Sequence, residues 1–344
     1  MVTMHAETKL LMDVVNLPAR SQRNTSNLNE ADMVPLLSPA DENKIQMLFL
    51  GKAFSLFKTS KVLEYLYQSC FRKSQSVLAL LGDMSKVLFD NSLDFAVFKT
   101  IRPFPFVTVD LDILFFSQED FLKAYRVLNC SYKMAGYGPN SISLHDQKRD
   151  IILDLHSEIA VSRMIYIEKD LLRDHIIENN VDGVQTSVLE PPAAVLTVVA
   201  HALYKEQMIT LSDYYSTMIL MLNMTPKQRT ELVELAYQTR TSASLKVALD
   251  LIHLVGADPS LSVIKETSDK IHMSGIESRA AKIALSQTRY IQFPFKYHPA
   301  SVGLAFVAKM FQDELMRSTF VHQAAEVMTH APELTKNILL HIRG

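Results

Sequence analysis

Apolar and polar positions alternate in the middle of this chain and recur at helical spacing on both sides of it. From Asp41 onward Leu48, Leu56, Val62, Leu63 and Leu66 return at mixed three- and four-residue intervals, the period of an amphipathic helix. A further helix is predicted from about Ser74 to Asn91, with Val77, Leu80, Leu81, Met84, Val87 and Leu88 on one face. The pattern then changes. Phe95 to Phe98 is an apolar run ending at Lys99, and Pro103 and Pro105 exclude a helix beyond it, because each fixes φ and lacks an N–H donor. Phe106 to Phe116 is β-branched and aromatic and predicts a second strand. Ser117, with Asp120 three residues on, reads as the N-cap of a helix through Leu128. Tyr132 to Tyr137, Ser141 to Leu144 and Asp150 to Ile159 read as short strands, with His145 to Arg149 as a hairpin loop.

After Pro191 the pattern is helical throughout. Ala193 to Lys205, Leu211 to Leu222, Pro226 to Thr239 and Ser242 to Val255 are predicted helices. Gly256 to Pro259 breaks the run, shorter helices continue to Gln287, and helices resume from Ser301 to Ile342. Met218 to Met224 reads as core filler, since methionine packs irregular gaps. The order helix, strand, strand, helix, several strands, then helices predicts an α+β fold: a mixed sheet flanked by helices, followed by an all-helical domain. The expected division is a flexible N-terminal arm over 1–40, an α/β domain with N-terminal helices over 41–190, and a helical domain over 191–344.

Composition changes this picture little. At 344 residues the chain has room for two domains. Its 48% hydrophobic and 21% charged residues are ordinary globular usage, and a net charge of -2 implies no general affinity for nucleic acid or membrane surfaces. Cys70 and Cys130 make no metal or redox motif. They point to a reducing, cytoplasmic setting with both as small buried hydrophobes. No apolar run approaches the ~18 residues of a membrane span, so no membrane partner is expected. No glycine falls between Gly82 and Gly136, which excludes a glycine-rich phosphate loop near the central strands.

The candidate chemistry lies in two of those strands. In Asp110-Leu111-Asp112 alternation puts both carboxylates on one face of an otherwise apolar run. Two readings follow: a strand end reaching solvent, or a pair holding a divalent cation such as Mg²⁺, which takes one or two carboxylates and leaves sites for substrate phosphates. Asp150 to Ile159 reads DIILDLHSEI, with Asp154, His156 and Glu158 on one face. If the two strands are close, Asp154 comes near Asp110 and Asp112; directly opposed Cβ atoms on antiparallel neighbours are ~4.5–5.5 Å apart. Three such carboxylates can hold two metal ions ~3.5–4 Å apart, the arrangement used for phosphoryl or nucleotidyl transfer. His156 is read as a hydrogen-bonded structural histidine, and His201 with Asp213 as a pair joining two successive helices.

These pieces, in order, are a lysine ending a strand (Lys99), an arginine (Arg102), the Asp110–Asp112 strand, a helix, and the Asp154-Leu155-His156 strand. They are followed by a helix carrying His201 and by Leu211-Ser212-Asp213 opening the next. Over roughly residues 75–225 the set resembles the poorly characterised nucleotidyltransferase family of the DNA polymerase β-like superfamily, with AbiEii-type nucleotidyltransferase toxins as distant relatives. The resemblance implies transfer of a nucleoside monophosphate from an NTP, with Mg²⁺ or Mn²⁺, to an unknown acceptor: RNA, protein or a small molecule. It makes Asp110 and Asp112 the metal-binding pair and Asp154 the third carboxylate, which helps deprotonate the acceptor. Lys99-Thr100 stands where the superfamily has Gly-Ser or Lys-Gly; Thr100, with Lys99 and Arg102, is expected to meet the β/γ-phosphates. The alternative is a non-catalytic nucleotide-sensing or protein-binding module of the same fold.

Overall fold

In the computed structural model, which describes residues 3–15, 17, 28–256 and 258–324, the strand-patterned middle of the chain forms one mixed sheet of seven strands. These are β1 (Phe95–Val97), β2 (Asp110–Phe115), β3 (Lys133–Gly138), β4 (Ser141–Asp146), β5 (Ile151–His156), β6 (Ile176–Val181) and β7 (Val184–Leu189). Their order across the sheet is β3-β4-β5-β2-β1-β7-β6. The α+β fold expected from the pattern is therefore present: helices cover both faces of this sheet and continue beyond it.

β2 and β5 are direct neighbours and run parallel, with Asp112 paired to Asp154 in register. β1 runs antiparallel to β2, and β4 antiparallel to β5. Alternation along β2 then divides two cores. Leu111, Ile113 and Phe115 face helix α1 (Lys61–Asp90) and helix α2 (Gln118–Leu128), packing with Leu80, Leu81, Met84 and Phe121. Leu114, with Ala96 and Phe98, faces the other way, onto Val195, Leu196 and Val199 of helix α3 (Pro191–Tyr204). Asp110 and Asp112 share that second face. They point into the space between the sheet and the helices that follow it.

Several boundaries differ from the expectation. The helix predicted from Ser74 is the second half of the 30-residue α1, which starts at Lys61 because the Ser60 hydroxyl caps the Leu63 N–H. β2 starts at Asp110, not Phe106: Thr108 Oγ1 accepts the Asp110 N–H, and Val109 is 73% exposed. Pro103 and Pro105 leave this stretch short of ladder donors, so it runs as a loop. The β6–β7 hairpin is missing from the sequence-based expectations. Its signal was there: Asp182-Gly183, both at positive φ, between Val181 and Val184. Cys130 is exposed and only Cys70 is buried, so one of the two cysteines departs from its expected place.

The stretch after Pro226 is not wholly helical. Tyr290–Ile291 pairs in parallel with Thr3–Met4, and Phe295–Lys296 pairs antiparallel with Met208–Ile209. Both ladders are two residues long and satisfy backbone polar groups beside the buried side chains of Ile291, Ile209 and Phe295. The first ladder also ties down the chain's beginning. Helix Ala6–Val15 buries Leu11 and Val15 completely, in a core shared with Val195 and Ile252. The described part of 1–40 is thus packed on the body. Residues 16 and 18–27, and the helix expected over 325–342, lie outside the described residues. Met218 and Met221 are core, as expected. No helix among the described residues is long and apolar enough to cross a membrane.

Candidate active site

The loop between β1 and β2 folds back over the acidic face. Thr100 N donates to Phe98 O at 2.7 Å, closing a three-residue turn with Lys99 at its centre, φ 61°. This is the left-handed region that favours glycine, and a lysine held there stores strain. The position keeps a backbone conformation glycine prefers, and adds a side chain. That side chain turns inward. Lys99 Nζ lies 2.9 Å from Asp112 Oδ1, with side chains only 8% and 13% exposed.

Asp112 is the centre of the site. His156 Nε2 also lies 2.9 Å from its Oδ1, its backbone N–H donates to Thr100 Oγ1, and the Thr100 hydroxyl reaches Oδ2 at 3.4 Å. Burial opposes ionisation of Asp112, but the Lys99 charge and the His156 hydrogen bond overcome it and hold the carboxyl far below the usual carboxylate range. Asp154, in register on β5, accepts a hydrogen bond from Ser143 Oγ at 2.5 Å. Potential ligand atoms of Asp112, Asp154 and His156 all lie within 4.8 Å of one another, a group that can hold a metal ion.

Asp110 stands slightly apart. Thr108 Oγ1 donates to its Oδ1 at 2.8 Å. Burial raises its carboxyl above the ordinary value, and the charges of Asp112 and Asp154 add to that. The acidic set on one face is present, but His156 rather than Asp110 completes the tightest group. The signal for His156 was its place two residues after Asp154 on the same strand face. Glu158, read on that face too, lies past the end of β5 and pairs with Lys169 at 3.0 Å. Arg149 is bound to Asp146 and Asp83.

The acidic face forms one wall of a cleft of about 280 Å³, whose lining includes Lys99, Thr100, Arg102, Asp110, Asp112 and Asp154. Arg102 is tied across the cleft to helix α4 (Leu211–Asn223), 3.3 Å from Asp213 Oδ1 and 3.4 Å from Ser216 Oγ. Asp213 also closes the capping box of α4 with Thr210. The expected His201–Asp213 pair is therefore replaced by Arg102–Asp213, because the cap holds Asp213 at the start of its helix. Lys44 and Lys205 line the cleft as well and form no ion pair among the described residues.

His201 instead links two other groups. Its Nδ1 is 3.0 Å from the Tyr166 hydroxyl and its Nε2 is 3.1 Å from Glu206 Oε1, a carboxylate on the cleft wall. Burial and the nearby Lys99 charge push the His201 pKa down to about 4. The neutral ring accepts from Tyr166 and donates to Glu206, whose pKa falls to about 2 largely through that bond, against burial. The folded chain therefore binds fewer protons than the unfolded chain between about pH 6.5 and 4, so His201's contribution is present at neutral pH and lost on acidification through that window. About 3 kcal/mol is involved, at 1.36 kcal/mol per pK unit. Unfolding curves of wild type and His201→Asn at pH 7 and pH 4.5 should converge at the lower pH; an equal gap at both would count against a neutral His201.

No known family model matches this sequence, and no curated protein matches it. Among solved structures it is similar to an antigenic nucleotidyltransferase-like protein from Paracoccidioides brasiliensis, at 10% identity and a TM-score of 0.32, over 51% of this chain and 94% of that one.

Proposed function

We propose that this chain is a divalent-metal-dependent nucleotidyltransferase, moving a nucleoside monophosphate from an NTP to a hydroxyl acceptor. The observation that carries this reading is the in-register pairing of Asp112 with Asp154 on parallel neighbouring strands, beside Lys99 and open to a cleft. The donors fit a hard cation, since adjacent carboxylates suit Mg²⁺ or Mn²⁺. Asp112 and Asp154 would hold it, with Asp110 on the same face. When bound, such a cation neutralises phosphate charge and lowers the pKa of an attacking hydroxyl.

The chain's own residues supply the rest. Lys44 and Lys205, unpaired in the cleft, would meet the triphosphate, with Lys99, Thr100 and Arg102 behind them. The free oxygen of Asp154, whose other oxygen is bonded to Ser143, would accept the acceptor's proton. The acceptor oxygen then bonds to the α-phosphorus as the bond to the β-phosphate oxygen breaks and pyrophosphate leaves. On this reading the helices after Pro191 form a second domain that closes the cleft and selects the acceptor, which is RNA, protein or a small molecule.

One observation favours the non-catalytic alternative, a nucleotide-sensing or protein-binding module: Lys99 already neutralises Asp112. The test is to incubate the purified chain with Mg²⁺ or Mn²⁺ and each of four labelled NTPs, against RNA, protein and small-molecule acceptors. The expected result is a labelled product that needs the metal and disappears in Asp154→Asn. NTP-dependent thermal stabilisation with no labelled product would favour the sensor, and no response to any NTP or metal would sink both nucleotide readings.

A further inference from the structure

A second and larger groove, about 540 Å³, adjoins the cleft and shares Lys44, Thr108 and Asp110 with it. One of its walls is the face of α1 that carries Ser69, Arg72, Lys73 and Ser76. Those positions are i, i+3, i+4 and i+7, so two hydroxyls and two cations form a single stripe. At 1.5 Å per residue the stripe is about 10 Å long. Arg72 and Lys73 are exposed, and neither has an ion pair among the described residues. Across from them Val109, 73% exposed, offers the loop wall an apolar surface.

The groove's remaining charges do not cancel that stripe. Arg149 is already committed to Asp146 and Asp83. Asp150 is 94% exposed and paired with His145. Asp41 lies on the same groove without an ion pair to either cation. Asp110 marks the end that opens onto the acidic site.

We infer that this groove is the acceptor site, and that the acceptor is a phosphate ester whose phosphate lies on Arg72 and Lys73 while its free hydroxyl reaches toward Asp110 and Asp154. This rests on the transferase reading of the cleft. The shape follows from the chemistry: an anion is repelled by the acidic end and drawn to the α1 stripe, which orients the ester along the groove. With two unpaired cations on the α1 wall the contact there is one or two phosphates, and Lys44, also without an ion pair among the described residues, stands where the groove meets the cleft.

The experiment measures binding of 5′-fluorescein-labelled hexauridylate by anisotropy, without metal or NTP, with unlabelled glucose 6-phosphate as competitor. Wild type should bind, and Arg72→Ala/Lys73→Ala should bind at least about tenfold more weakly with an unchanged melting temperature. The salt slope for two phosphates on a single strand should be about −1.4 in log–log form. Displacement by glucose 6-phosphate at comparable phosphate concentration identifies a small phosphate ester as the source, and resistance to it identifies a strand end; both support the groove. Equal binding by wild type and the double variant, or no binding by either, overturns it. Because no NTP is present, this outcome is independent of transfer. A chain that labels an acceptor equally well with and without Arg72 and Lys73 would keep the proposed function and lose this inference. A chain that binds through them and transfers nothing would keep a phosphate-binding groove on Arg72 and Lys73, and lose both the proposed function and the groove's role as its acceptor site.

Discussion

Lys99→Met is expected to destabilise the metal-free chain by about 3–5 kcal/mol, the scale for removing one partner of a buried ion pair. Asp112 is 13% exposed and would be left with His156 and Thr100 but without its countercharge. A divalent cation should then return part of the lost stability, because Asp112 and Asp154 lie in register with no lysine competing for Oδ1. At a hundredfold excess over Kd the gain from any ligand is about 2.7 kcal/mol. Lys99→Gly separates the two roles of this residue. Glycine accepts φ 61° without penalty, so it should be less destabilising than methionine by about 1 kcal/mol. Denaturant unfolding of the three proteins, with and without Mn²⁺, reads both effects. A Lys99→Met chain as stable as wild type would mean that the ion pair contributes nothing to holding the loop on the sheet.

Asp110→Asn is expected to lower transfer by about 10²–10³-fold, since a metal site supplies several kcal/mol of charge stabilisation and 1.36 kcal/mol is tenfold in rate. The same change should raise the melting temperature of the metal-free chain at neutral pH. The sign follows from the raised carboxyl: the native state favours the protonated form of Asp110, so its charge at pH 7 works against the fold, and that cost is relieved as pH falls through the native pKa. Asparagine keeps the oxygen that accepts from Thr108 and removes the charge. Metal stabilisation measured without NTP should largely survive, because the group with converging ligand atoms is Asp112, Asp154 and His156. Loss of that stabilisation in Asp110→Asn, or unimpaired transfer, would put Asp110 in a different role.

Local rules were enough for the parts of this chain where one element decides the outcome. Strand alternation placed Asp110 and Asp112 on one face of β2, and Asp154 and His156 on one face of β5, because the side-chain period of a strand is two whatever surrounds it. The Ser117 cap and the helical periods after Pro191 were legible for the same reason. Which strands became neighbours was not written in either segment. The parallel register of Asp112 with Asp154 depends on β4 returning the chain antiparallel to β5 and on two cores gripping opposite faces of the sheet. The inward turn of Lys99 needed tertiary structure too: a buried carboxylate offsets left-handed strain that no local rule would assign to lysine. Likewise Arg102 rather than His201 found Asp213, since the partner of a charged side chain is set by what the folded backbone brings within about 4 Å, over a separation of more than a hundred residues.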